Sequence, residues 1–177
     1  NAGVICGEKL IEAAPDGGQV VILECTTQNS IIDRINGFEE TIAGKGFEVV
    51  ERSETGGKKD EAKTQMARIL KEQDHITAVM CGNDQIALGA LEAIEEAGRS
   101  EMMIYSVDGS PKLKQELAKD GSLVVGIAAQ SPINIGKSAV TVALQIMNGE
   151  RYEKETLEEV LFIDRSNVGM YGVDGWQ

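Results

Sequence analysis

Positive charge is scarce in this 177-residue chain: 17 Lys and Arg stand against 29 Asp and Glu, a formal net charge of -12. No basic patch offsets that excess, so no nucleic-acid partner is expected, and anionic membrane surfaces are unattractive. Long apolar runs are lacking too. None reaches the ~20 residues of a membrane-spanning helix, and no basic-then-apolar signal segment opens the chain. Asn1-Ala2-Gly3-Val4-Ile5 reads instead as the entry to a helix. Cysteine is limited to Cys6, Cys25 and Cys81, whose spacing matches neither a metal site nor a disulfide framework. Small buried or half-buried thiols are expected, with a Cys6–Cys25 bridge left open.

Catalytic signals are equally few. The single histidine, His75, falls at a helix-to-strand junction, so no paired-histidine metal motif exists. Gly136-Lys137-Ser138 resembles the end of a phosphate-binding loop, but Ser131 stands where the leading glycine belongs. The chain has no G-x-S-x-G turn and no dinucleotide fingerprint. Glu95 and Glu96 are expected on the outer side of a helix. The reading is therefore of a protein that is not an enzyme, with no catalytic residue, no metal site and no cofactor.

What is present is a regular alternation. Apolar runs recur at Val20–Leu23, Phe47–Val50, Ile76–Met80, Met102–Tyr105 and Leu123–Ile127. Several are near-continuous, as suits strands covered by helices on both faces. Between them lie helical stripes: Ile31, Ile35, Phe38 and Ile42; Ala62, Met66, Ile69 and Leu70; Ala87, Leu91 and Ile94. A further helix should start at Ser110 as N-cap with Pro111 at N1, and stop before Gly121. Strand–helix alternation with right-handed crossovers predicts an α/β fold with a doubly wound parallel sheet.

The stretch after Gln130 differs. Residues 132–148 predict a helix that is apolar almost all round, through Ile135, Ala139, Val142 and Ile146 with Val140, Leu144 and Met147 beside them. Such a helix expects burial against more than one layer. A last strand is expected at Val160–Ile163.

In open α/β sheets the ligand crevice lies beyond the carboxyl ends of the strands. The residues following each run there include Asn83, Asp108 and Gln130, and the helix after the first run carries Arg34 in its first turns. Helical side chains lean toward the N-terminus, so Arg34 reaches the same edge. One guanidinium fork, two amides and one carboxylate suit a polyol, whose hydroxyls both donate and accept. Arg34, Asn83, Asp108 and Gln130 are the candidate ligand-binding residues. Asn83 or Asp84 could also serve only as a helix cap, Asp108 only as a turn former, and Arg34 only in an exposed pair with Asp33.

Four stretches carry a family resemblance: Asp33-Arg34-Ile35-Asn36-Gly37-Phe38, Ala78 to Ala90, Ser106-Val107-Asp108-Gly109-Ser110-Pro111, and Ala129-Gln130-Ser131-Pro132-Ile133-Asn134-Ile135-Gly136. In this order and spacing the chain resembles the type I periplasmic sugar-binding proteins, closest to the ribose-binding group. That fold is shared with the effector domains of lactose-repressor-type regulators. The resemblance implies that Arg34, Asn83, Asp108 and Gln130 contact a sugar. It also implies an aromatic ring on the loop after the second strand, where this chain has Gly57; Trp176 is a candidate substitute.

The resemblance further implies two lobes joined by three crossovers, with the first lobe absent from this sequence. Residues 1–130 would form the second lobe, 131–160 a segment of the missing first lobe, and 161–177 the return. The helix at 132–148 is then expected to fold back, to be disordered, or to self-associate with another copy. The implied function is the solute-binding component of an ABC importer, binding a monosaccharide or similar small polyol and presenting it to a membrane permease. Its location would be extracellular or periplasmic, anchored as a lipoprotein in the full-length protein. The alternative is the effector-binding domain of a transcriptional regulator.

Overall fold

Each apolar run forms a strand in the computed structural model, which describes residues 1–176. These are β1 (Gly18–Glu24), β2 (Phe47–Glu54), β3 (Ala78–Cys81), β4 (Met103–Asp108) and β5 (Val124–Ala129), with β6 (Leu161–Ile163) after them. The sheet order is β2-β1-β3-β4-β5-β6. β1 to β5 pair in parallel, as the alternation predicts, and β6 pairs antiparallel to β5. The doubly wound parallel sheet therefore has one reversed edge. The chain leaves β5 at Ala129 and re-enters opposite it at Leu161, so β6 runs back down its neighbour.

Among the described residues, seven helices accompany the strands: α1 (Ala2–Ala13), α2 (Asn29–Ile42), α3 (Lys59–Glu72), α4 (Asp84–Glu96), α5 (Pro111–Leu117), α6 (Pro132–Met147) and α7 (Val168–Tyr171). α1 packs against α2, and α3 against α4. The striped residues Ile31, Ile35, Phe38 and Ile42, with Ala62, Met66 and Ile69, are all buried, as are Ala87, Leu91 and Ile94. Burying one such side chain contributes about 1.5–3 kcal/mol, so these stripes fix each helix against the sheet. Ser110 Oγ accepts from Leu113 N and Pro111 opens α5 as expected, although the helix ends at Leu117, short of Gly121. Cys6, Cys25 and Cys81 are buried free thiols, so the Cys6–Cys25 bridge is not formed.

α6 departs from expectation. It is a regular 16-residue helix, yet none of its residues is buried. Ile133, Val140, Leu144, Ile146 and Met147 all stand more than half exposed. It is neither disordered nor folded back onto the sheet. Ser138 Oγ ties it to the 150–160 stretch by a hydrogen bond to Glu158.

The α1–α2 contact depends on glycine. A Cβ at Gly3 would lie 1.7 Å from the backbone oxygen of Arg34, and one at Gly7 2.8 Å from Thr41 Cβ. Overpacking of this kind costs about 1–3 kcal/mol. Gly3→Ala is therefore expected to lower stability by about that amount, seen as a lower urea midpoint with an unchanged slope.

Candidate functional site

The strand order reverses between β1 and β3, so the loops that follow these two strands part and leave a crevice at the sheet's carboxyl edge. Arg34, in the second turn of α2, spans this opening. Its Nη1 donates to Gly82 O at 2.8 Å, and its Nη2 meets Asp108 Oδ1 at 3.0 Å. Gln130 Nε2 donates to the same carboxylate oxygen at 3.0 Å, while its backbone N–H donates to Asp108 O at 3.1 Å. Three of the four candidate residues are thus in direct contact.

Asn83 stands apart from them. It caps α4, its Oδ1 accepting from Ile86 N at 2.9 Å, and its Nδ2 donates to Gly57 O at 3.3 Å. It therefore faces the loop after β2, and its hydrogen bonds go to Gly57 and Ile86 instead of to Arg34, Asp108 or Gln130. Gly57 has φ 73°, and a Cβ there would come within 2.9 Å of Gln28 Nε2 and 3.5 Å of Asn83 Nδ2. The loop leaves no room for an aromatic ring unless these amides move.

Asp108 is held under strain. Its φ of 137° is the one positive value outside glycine among the described residues, in a region that other side chains rarely adopt. Burial pushes its carboxyl pKa up, opposed by Arg34, the Asp84 backbone N–H and Gln130. What fixes the turn is Asp84, a residue that sequence reasoning weighed only as a cap. Its buried carboxylate accepts from Ser106 Oγ at 2.7 Å, Gly109 N at 3.1 Å and Ser110 N at 2.6 Å. Its position beside Asn83 gave a signal, but its partners lie 22 to 26 residues further on.

Glu54 plays a similar part between the loops after β1 and β2. It accepts from Thr26 N, Thr26 Oγ1, Thr55 N and Gly56 N. Desolvation works against its charge, but these bonds win and bring its pKa down to about 2. Beside the Arg34 cluster is a cavity of about 610 Å³ lined by Asp108, Gln130, Pro132, Ile133 and Trp176. His75 is exposed, and no group of potential metal ligands exists among the described residues.

Residues 1–151 match the family described as the periplasmic binding protein domain. The chain belongs to the periplasmic binding protein family. It is 31% identical over 152 residues to the ribose import binding protein of Salmonella typhimurium, covering 85% of this chain and 51% of that protein. It is 30% identical over 170 residues to the D-apiose import binding protein of Actinobacillus succinogenes, covering 93% of this chain and 54% of that one. This periplasmic binding protein chain thus spans about half the length of the curated relatives it matches. Among solved structures, an ABC transporter periplasmic solute binding protein from Actinobacillus succinogenes with bound D-allose superimposes with TM-score 0.89 at 22% identity, over 97% of this chain and 61% of that one. The arabinose transporter's binding protein from Shewanella, bound to L-arabinofuranose, gives 0.87 at 26% identity, over 96% and 58%.

The hub of this site yields a test. Burial, working against the bonds from Ser110 and Ser106, pushes Asp84 from 3.8 to about 6. A raised carboxyl pKa opposes folding most above pH 6, and that penalty fades as pH falls toward the unfolded value. Asp84→Asn cannot ionise but still offers an oxygen to Gly109 and Ser110. Its stability relative to the parent should be highest near pH 8 and decline toward pH 4 in urea titrations. Asp84→Ala leaves two buried N–H groups unpaired, at about 1–3 kcal/mol each, and should be destabilised across that range.

Proposed function

We propose that this chain supplies one ligand-binding lobe of the solute-binding component of an ABC importer, gripping a monosaccharide or similar small polyol. The observation that carries this reading is the Arg34–Asp108–Gln130 cluster at the switch-point crevice. A carboxylate already bridged by a guanidinium and an amide is preorganised to accept from a sugar hydroxyl, while the Arg34 fork and the Gln130 amide donate to its lone pairs. Asn83 joins from the β3 side, its Nδ2 turning from Gly57 O to the ligand. A site of this kind rejects molecules without hydroxyls, since its own polar groups would stay unpaired.

The relatives support the class: they are named for ribose, D-apiose and fructose import. The acting protein closes two lobes around the sugar and presents the closed surface to a membrane permease. Residues 1–130 form the lobe in hand, 131–160 belong with the other lobe, and 161–177 return. The bare apolar faces of α6 support that division. The full protein works outside the cytoplasmic membrane, extracellular or periplasmic, held by a lipid anchor. No step of this function needs a catalytic group or cofactor.

A thermal-shift screen against monosaccharides tests the proposal, because a ligand that binds only the native state raises the melting temperature. At least one pentose or hexose should raise it, and Asp108→Ala should abolish that shift. A shift that survives Asp108→Ala intact would overturn the site.

The exposed α6 generates a second expectation. In the absence of the other lobe, its apolar face should pair with a second copy of the chain. Sedimentation equilibrium should show dimer increasing with concentration, and Val140→Glu with Leu144→Glu should return the chain to monomer. A parent chain that stays monomeric at all concentrations would refute the self-association.

A further inference from the structure

The C-terminal segment docks on the lobe as a separate piece. β6 pairs with β5 at Ile127–Ile163, Ala128–Phe162 and Ala129–Leu161. Ile163 and Val168 are buried, and the Phe162 ring fills the space over Gly126, where a Cβ would come within 2.1 Å of it. Lys9 Nζ lies 5.8 Å from the centre of that ring. Further on, Arg165 meets Asp120 at 3.3 Å, Gln115 Nε2 donates to Val173 O at 3.4 Å, and Lys114 Nζ donates to Gly175 O at 2.6 Å. All these partners lie before residue 130. The link between the two pieces is of another kind. α6 buries none of its residues, and residues 148–160 form neither helix nor strand. A helix of 16 residues is about 24 Å long, and the stretch after it adds about 40 Å when extended. Each length exceeds the radius of gyration expected for a domain of this size, about 16 Å. The link is long enough to carry the segment to a neighbouring copy.

We infer that residues 161–176 exchange between two copies of the chain, each segment docking on the other copy's β5 and α5 while the two α6 helices lie against each other. This deepens the α6 pairing expected above and rests on it. Exchange re-forms every contact that it breaks: the same β5–β6 rungs, the same Phe162 slot and the same tail bonds are made between copies. What is added is cover for Val140, Leu144 and Met147, each more than half exposed in the single chain. Charge selects this face for the contact. Two copies of a chain with net charge -12 repel each other, but α6 carries Lys137 as its one charged side chain. The exchange also changes the crevice. Trp176 lines the cavity beside Asp108 and Gln130, so each crevice of the exchanged dimer joins the lobe of one copy to the tail of the other.

Asp120 and Arg165 are exposed and face each other across the docking contact, while the native cysteines are buried. An exposed pair of this kind contributes little to stability, so cysteine at either position leaves the fold intact. Chains carrying Asp120→Cys alone and chains carrying Arg165→Cys alone would be mixed in urea, refolded together, separated by size exclusion and treated with a short bis-maleimide. The expected result is a product of twice the chain mass in the dimer fraction, with one chain of each kind by peptide mass spectrometry. That product should be lost when either variant is refolded and treated alone. The double variant Asp120→Cys with Arg165→Cys should give links between chains in its dimer fraction and links within the chain in its monomer fraction. If its dimer gives only links within the chain, the exchange is refuted and the α6 pairing stands. If no dimer forms at any concentration, exchange and α6 pairing fall together, and the ligand-binding function still rests on the thermal-shift screen.

Discussion

Arg34 connects three parts of the sheet edge. It rises from the helix after β1, donates to the backbone after β3, and pairs with the carboxylate after β4. The doubly wound order makes this possible, because only at the reversal between β1 and β3 do neighbouring loops part far enough for a long side chain to pass. The close α1–α2 packing through Gly3 sets the height of α2, since the tight contact is with Arg34's own carbonyl. Core packing and site geometry therefore meet in one residue.

Around that pair, the site is organised by acids whose environments differ. Asp84 is buried and bound by one hydroxyl and two backbone N–H groups, yet desolvation outweighs them and raises its pKa. Glu54 is exposed and its four hydrogen bonds hold it ionised. Both tie loops together, one beneath Asp108 and the other between the β1 and β2 loops. The strained backbone at Asp108 persists because Asp84, Arg34 and Gln130 all hold the same turn.

Most of the fold was legible because four strands, β1, β3, β4 and β5, are largely buried and leave near-continuous apolar runs, and the helices leave clean stripes. The direction of β6 was not legible. A three-residue strand carries no sign of polarity, which here follows from the edge at which the chain re-enters. Of the site, Arg34, Asp108 and Gln130 could be found from position alone, since each follows a strand or opens a helix. Asn83 was legible as a cap and as a candidate, and the structure gives it the capping bond and a turn toward Gly57. The role of Asp84 was hidden because it depends on partners in a different loop. The apolar character of α6 was read correctly, but its burial does not occur, since no layer among the described residues covers it.

The excursion from residue 130 to 160 leaves and rejoins the sheet at one rung, Ala129 opposite Leu161. Both of its anchor points therefore sit on adjacent strands, and a rotation of α6 about that rung would leave the rest of the ladder intact. Gln130 is the first residue beyond the rung and holds Asp108 through both its side chain and its backbone. A displacement of the excursion would thus bear first on the Asp108 carboxylate, which couples this edge strand to the Arg34 cluster through a single residue.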